Sequence, residues 1–197
     1  MKEHVLPSIR LYLAVTLLLG FGYPAAVWGV GRLAFPEEAG GSFLRRGGST
    51  VGSSLIGQTF SSPKLFHGRP SAAGETGYDA TASGGTNLGP TSRKLADAVR
   101  NAVKSVSDGE GVTGSVPADA VTSSGSGLDP HVSPDYARLQ VPRVARQTGV
   151  PPADLDALIA RRTEGRFLGV WGERRVNVLL LNLDLEKRLG AGGAAAR

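Results

Sequence analysis

The longest apolar run of the chain lies near its start. Between Arg10 and Arg32 there are 21 consecutive uncharged residues, Leu11 to Gly31, and at 1.5 Å per residue a helix of that length spans roughly 31 Å, the thickness of a bilayer core. Residues 1–10 form a short segment before it. A cleaved secretory signal is the competing reading, with Lys2 and Arg10 as its charged region, but the run is long for that and Trp28 is awkward beside a cleavage point. The pattern predicts an uncleaved transmembrane helix over 11–31. Gly22 and Ala26 are four residues apart, as are Ala25 and Gly29, so small side chains share a face that a partner helix could approach closely. Pro24 agrees, because neighbouring helices in a membrane can satisfy the carbonyl it frees.

Residues 32–52, with paired Glu, paired Arg and many Gly, read as a linker. A soluble domain is expected over 53–189, and the Gly-Ala tail, 190–197, is expected to be disordered. Leu55 to Phe60 predicts a short strand, and Ser61 to Pro90 an irregular excursion of the kind that carries contacts. Leu95, Ala98, Val99, Ala102, Val103 and Val106 recur at three and four, predicting a helix capped by Thr91 or Ser92 and ending before Asp108-Gly109. Asp119 to Ser123 reads as another strand, followed by the turn-rich stretch 124–130. Ser133-Pro134-Asp135 starts a helix that Pro142 kinks or splits, and Pro151 to Asp154 starts one that stops at Gly165. Val176 to Leu181 has apolar residues on both faces of an extended chain, predicting the central buried strand. The fold class is a single N-terminal transmembrane helix plus one mixed α+β soluble domain.

Composition narrows the chemistry. The 197 residues contain no Cys, which removes disulfide scaffolds, Cys-ligated metals and thiol catalysis. With three His and no His-x-x-x-His spacing, no metal site is expected. The net charge of +5 comes from scattered basic residues, so no nucleic-acid partner is expected. Positive charges flank the apolar run almost equally, and the positive-inside rule does not choose a side. One span cannot build a polar conduction path, so in any transport process this chain is not the pore.

Two Gly-containing loops, Ser83 to Asn87 and Ser124 to Leu128, could point N–H groups at an anion. No Gly-Lys pair exists to make a P-loop, and the one G-x-G-x-x-G spacing, at Gly109, Gly111 and Gly114, follows a predicted helix instead of opening one. Ser126, Asp129 and His131 have the residue types of a hydrolytic triad but are crowded within six positions, without a G-x-S-x-G elbow. A membrane-anchored serine hydrolase using Ser126 and His131, or a stand-alone anchored binding module, therefore remain as alternatives.

Six motifs occur in order: Ser54-Leu55-Ile56-Gly57-Gln58, Phe66-His67-Gly68-Arg69-Pro70-Ser71, Ser83 to Pro90 with Asn87, Ser124 to Pro130 with Gly127 and Asp129, Gln140-Val141-Pro142-Arg143, and Arg175-Val176-Asn177-Val178-Leu179. Together with the N-terminal span they resemble the KdpC family, the small accessory subunit of the bacterial potassium-transporting P-type ATPase. Leu65 and Leu139 depart from it, standing where the family is expected to carry aromatic residues. The resemblance implies a non-catalytic subunit in the cell membrane, partnered by a pore-forming subunit, an ATP-hydrolysing subunit and membrane lipid. It implies a role in assembly and stability, and as a catalytic chaperone that raises ATP affinity. No covalent cofactor is implied; ATP would act through the complex, with Gln140 as candidate nucleotide contact, and potassium would be cargo not bound by this chain. Gly57, Gln58, Arg69, Pro70, Asn87, Gly127, Asp129, Pro130, Arg143 and Asn177 are the family-motif residues expected to be structural or at an interface. The resemblance further implies an extracytoplasmic soluble domain, over the potassium entrance, which stands against direct contact with cytoplasmic ATP.

Overall fold

The computed structural model describes residues 2–195, and the chain divides into two compact units, Met1–Val51 and Gly52–Arg197. In the first, α1 (Lys2–Leu17), a π-helical turn (Leu18–Gly22) and α2 (Tyr23–Ala34) follow without a break. The helical stretch Glu3–Ala34 is long and apolar enough to cross a membrane, and none of its most apolar window is buried. At 32 residues it reaches roughly 48 Å, so it overshoots the uncharged run on both sides. The π turn lies just before Pro24, where an extra residue relaxes the ladder that proline interrupts.

The segment expected to be a linker is instead largely regular. Residues 32–34 complete α2, Pro36–Ala39 form the single turn α3, and β1 (Phe43–Arg46) pairs with β2 (Ser49–Ser53). Gly47 and Gly48 join the strands with φ of 55° and 87°, the positive angles that a tight two-residue hairpin demands.

In the second unit, the predicted strand at Leu55–Phe60 is absent and the chain runs irregularly to Pro90. Then α4 (Arg93–Glu110) begins on the hydroxyl of Ser92, which accepts from the Leu95 amide, and ends at left-handed Gly111. It runs past the expected stop at Asp108 because Gly111, not Gly109, supplies the terminating conformation. The predicted strand at Asp119–Ser123 is a 3-10 turn (Ala118–Ala120) that positions Asp119. Both carboxylate oxygens of Asp119 bind Ser133, at its amide (2.6 Å) and hydroxyl (3.0 Å). Ser133 in turn caps α5 (Pro134–Leu139) through the Tyr136 amide. Pro142 does split the helix: α6 (Val141–Thr148) restarts with Gln140 at the junction. Next comes α7 (Pro152–Arg162), which opens on Pro151 and hands over directly to a short strand.

That strand, β4 (Thr163–Glu164), and β3 (His131–Val132) flank β5 (Arg175–Asn177) in an antiparallel sheet of order β3-β5-β4. Val176 is the register centre, opposite Val132 on one side and Thr163 on the other. The predicted central strand thus exists but stops at Asn177. From Val178 the chain is helical, α8 (Val178–Ala195), because the Asn177 side chain accepts from the Leu180 amide as an N-cap. Val178, Leu181, Asn182 and Leu185 are buried at helical spacing. The tail expected to be disordered overlaps the end of α8, and its last two positions, Ala196 and Arg197, lie outside the described residues.

The core gathers Val132, Tyr136, Val144, Leu155, Ile159, Val176, Leu181 and Leu185 from α5 to α8 and the sheet. One large residue enters it from the irregular excursion, Phe66, which is wholly buried. Leu65 and Leu139, the two departures from the family pattern, pack against this core at its edge. Arg162 clamps α7 to α8 through paired contacts with Asp184 at 2.7 and 2.9 Å. Those contacts, the Arg162 hydrogen bond first, hold the Asp184 carboxyl below its ordinary pKa.

Candidate functional site

The motif loops have almost no secondary structure, so their backbone groups need other partners if they are buried. Side chains supply them. At Phe66 the amide donates to Asn182 Oδ1 (2.8 Å) and the carbonyl accepts from Asn182 Nδ2 (2.9 Å). At the next residue, His67, the same pattern repeats with Gln140: the amide donates to Oε1 (2.7 Å) and the carbonyl accepts from Nε2 (3.1 Å). Two buried carboxamides, one from α8 and one from the α5–α6 junction, act as stand-ins for neighbouring strands.

Arg143 extends this cluster. Its Nη2 donates to Gln140 Oε1 (2.8 Å), its Nη1 to the Leu65 carbonyl (2.9 Å), and its Nε contacts both oxygens of Glu110 at 3.0 Å. Arg143 and Glu110 are 6% and 8% exposed, so the pair is desolvated, and the guanidinium holds α4, α6 and the excursion together. Gln140 is 0% exposed. The residue expected as a nucleotide contact therefore presents no surface, and both ends of its amide are engaged within the protein.

A second cluster lies around Arg69. Its Nη1 faces Asp129 Oδ2 at 3.4 Å and its Nε donates to the Thr122 carbonyl at 3.3 Å. Asp129 Oδ1 accepts from the amide (3.0 Å) and Nδ1 (3.1 Å) of His131. Burial pushes the Asp129 carboxyl upward, but the His131 hydrogen bonds, with the charges of His131 and Arg69, outweigh it and leave the pKa lowered. Tyr78 donates its hydroxyl to the Arg69 carbonyl (2.7 Å), and burial raises its own pKa.

The two glycine loops read as anion cradles bind each other instead. The Gly84 amide (2.9 Å) and the Ser83 hydroxyl (3.0 Å) both donate to the Ser126 carbonyl. Ser71 bonds the Gly127 carbonyl at 2.6 Å, and the Gly57 amide bonds the Leu128 carbonyl at 2.8 Å. Gly127 has φ of 68°, and a Cβ there would sit 2.7 Å from the Gly84 carbonyl oxygen and 2.8 Å from the Ala73 amide. Gly57 is equally confined, against the Tyr78 ring and the Asp129 carbonyl.

Of the expected motif residues, the structure thus joins Gly57, Arg69, Gly127 and Asp129 in one knot. Pro130 adjoins it and accepts from the Val178 amide (2.9 Å), while Asn177 donates to the Ser54 carbonyl (2.8 Å). Gln58 lies beside Gly52. Pro70 and Asn87 are exposed, Asn87 in a left-handed conformation that its residue type tolerates. In the other unit, Gly22, Ala25 and Ala26 are exposed and Gly29 is half-exposed, with open space where a Gly29 side chain would be. Ser126 receives the Leu128 amide at its hydroxyl (3.1 Å), and among the described residues no hydrogen bond joins it to His131. A cavity of about 670 Å³ opens beside the Arg69 knot, walled by Arg69, Asp129, His131, Phe167, Trp171 and Arg175. Its aromatic wall, a feature the sequence reading did not single out, comes from the loop between β4 and β5.

Comparison with known proteins extends over nearly the whole chain. The family of the K+-transporting ATPase c chain, KdpC, matches residues 5–187. The potassium-transporting ATPase KdpC subunit of Gemmatimonas aurantiaca is 52% identical over 186 residues, 94% of each chain. That of Sorangium cellulosum is 50% identical over 94% of this chain and 98% of its own, and that of Koribacter versatilis 48% identical over 94% and 95%. With similarity of this extent running from the apolar helix through β5 into α8, the chain belongs to the KdpC family.

Proposed function

We propose that the chain is the non-catalytic accessory subunit of an ATP-driven potassium uptake complex, anchored by its N-terminal helix and docking through its motif loops on the pore-forming and ATP-hydrolysing subunits. The observation that carries this reading is how the motif residues are used. The motif residues Gln140, Arg143 and Ser71, joined by Asn182 from outside the motifs, direct their side-chain polar groups at loop backbone, the Gly127 carbonyl included, and fix a surface in advance, which lowers the ordering penalty of docking. Its relatives are named as subunits of a potassium-transporting ATPase.

In this reading the chain assists assembly and raises the ATP affinity of the hydrolysing subunit through protein contact. The enclosure of Gln140 supports an indirect route, and the extracytoplasmic placement proposed for the domain would require one. The exposed small-residue face, Gly22/Ala26 or Ala25/Gly29, is the proposed seam for a membrane helix of a partner.

The test is copurification of the whole complex carrying Gly22→Leu with Ala26→Leu, and separately Arg69→Ala. The first pair should strip this subunit from detergent-solubilised complex. The second should leave the subunit bound while raising the KM for ATP. Normal retention and normal KM in both would overturn the proposal. Because the chain lacks cysteine, Glu75→Cys labelled by a membrane-impermeant maleimide in intact spheroplasts reports the side, and protection until permeabilisation would refute the extracytoplasmic placement.

A further inference from the structure

The loop between β4 and β5 walls one side of the cavity beside Arg69 and leaves most of its apolar surface open to solvent. The Phe167 amide donates to the Trp171 carbonyl (2.8 Å) and the Trp171 amide to the Phe167 carbonyl (3.0 Å), closing a small antiparallel bridge. Beyond it, Leu168 and Gly169 turn with φ of 51° and 77°. A positive φ is uncommon for a bulky residue such as leucine. The result is an apolar tip: Phe167, Leu168, Val170 and Trp171 are 71%, 78%, 70% and 68% exposed. Nothing lies within 4 Å of where a side chain at Gly165, Gly169 or Gly172 would project. Four large apolar residues in five positions form a contiguous patch of the kind that marks an interaction site.

We propose that this tip inserts into the headgroup region of the bilayer in which the chain is anchored. Three features choose a lipid surface as its occupant. Trp and Phe with Leu and Val at the tip, and exposed Arg166, Arg174 and Arg175 at the base, are the residue types that settle at the boundary between acyl chains and headgroups. Arg174 has no hydrogen-bond or ion-pair partner among the described residues, which leaves it for lipid phosphate, whereas Arg166 and Arg175 contact Glu173 (3.4 Å) and Glu164 (2.9 Å). Finally, the chain itself keeps a bilayer near. Only residues 35–51, which hold α3, β1 and most of β2, separate the end of α2 from the second unit, and even fully extended they would span at most about 60 Å. The membrane is therefore present at high effective concentration. With the two glutamates offsetting two of the three arginines, apolar area dominates, and attachment weakens without anionic lipid but persists.

The proposal needs only the membrane anchor, so it can fail without affecting the assignment to a potassium-transporting complex. The full chain carrying Leu168→Cys, labelled with an environment-sensitive fluorophore, is placed in phosphatidylcholine nanodiscs with or without phosphatidylglycerol. Spin-labelled lipid should quench it at least about threefold more than a label at exposed Lys104→Cys. Val170→Cys gives a second probe should the first disturb the turn, and Phe167→Ser with Trp171→Ser should abolish the excess quenching while the circular dichroism spectrum is unchanged. Equal quenching at 168, 170 and 104 overturns the proposal. So does a shielded signal that arises only on adding the other pump subunits, which would make the tip a protein-docking element.

Discussion

Gln140 grips the backbone of His67 from both sides, accepting its amide at 2.7 Å and donating to its carbonyl at 3.1 Å, across 73 residues of sequence. Asn182 does the same to Phe66. Two adjacent residues of an otherwise irregular segment are thereby given the hydrogen bonds of a strand, and Phe66 is delivered into the core. The grip also sets the direction in which the chain leaves toward Arg69 and its knot.

This arrangement separates two substitutions at position 140. Gln140→Leu leaves the His67 amide and carbonyl unpaired and removes an acceptor from Arg143. At about 1–3 kcal/mol for each unpaired buried group, the loss should be about 3 kcal/mol or more. Gln140→Glu keeps the acceptor for His67 and Arg143 but cannot donate to the His67 carbonyl when ionised, so it should cost less than Leu. Thermal melts of the full chain in detergent give the order, and equal destabilisation by the two would mean that donation to the His67 carbonyl, which both variants lose, decides, and not the accepting oxygen. Asn182→Leu combined with Gln140→Leu should cost less than the sum of the single changes, because either one already frees the same dipeptide.

Gly127 is under a steric constraint. Alanine would have to adopt φ of 68° and place its Cβ against two backbone atoms, the Gly84 oxygen and the Ala73 nitrogen. A left-handed non-glycine residue alone costs about 1–2 kcal/mol, and the backbone contacts add to it. Gly127→Ala should destabilise by more than about 2 kcal/mol and loosen the segment near Ser71 and Gly84 to hydrogen exchange. Gly125→Ala is the control, since open space surrounds that position. Similar protection in both variants would show that the loops are not locked through Gly127.

Much of this fold is legible from local signals. Ser92 and Ser133 cap the helices expected of them, and Pro142 splits α5 from α6. These signals act within one turn of chain and need no tertiary information. The misreading of Val176 to Leu181 as a strand has a specific cause. Short apolar runs do not distinguish buried strand from buried helix, although Asn177 before such a run, with apolar spacing at Val178, Leu181 and Leu185, is the cap pattern that the structure uses. The roles of Gln140 and Asn182 leave no local mark at all, because their partners are 73 and 116 residues away. The motif order revealed the family, but only the geometry shows that its glutamine is enclosed.

Stability should also depend on pH through His67, whose Nε2 lies 3.2 Å from the Ser62 carbonyl. Its pKa is lowered from 6.5, first because burial penalises the imidazolium and second because the Arg143 charge opposes it. The unfolded chain therefore binds a proton that the folded chain resists. The contribution of neutral His67 is fully present above 6.5 and is lost as pH falls through the lowered folded value. Asp129 and Asp184, both lowered from 3.8, act in a separate window, with stability lost as pH drops below that value. Melting temperatures should thus fall in two stages on acidification, and His67→Asn, which cannot titrate, should flatten the first stage alone. If the variant retains the same decline as pH falls below 6.5, the proton uptake belongs to another group and not to His67.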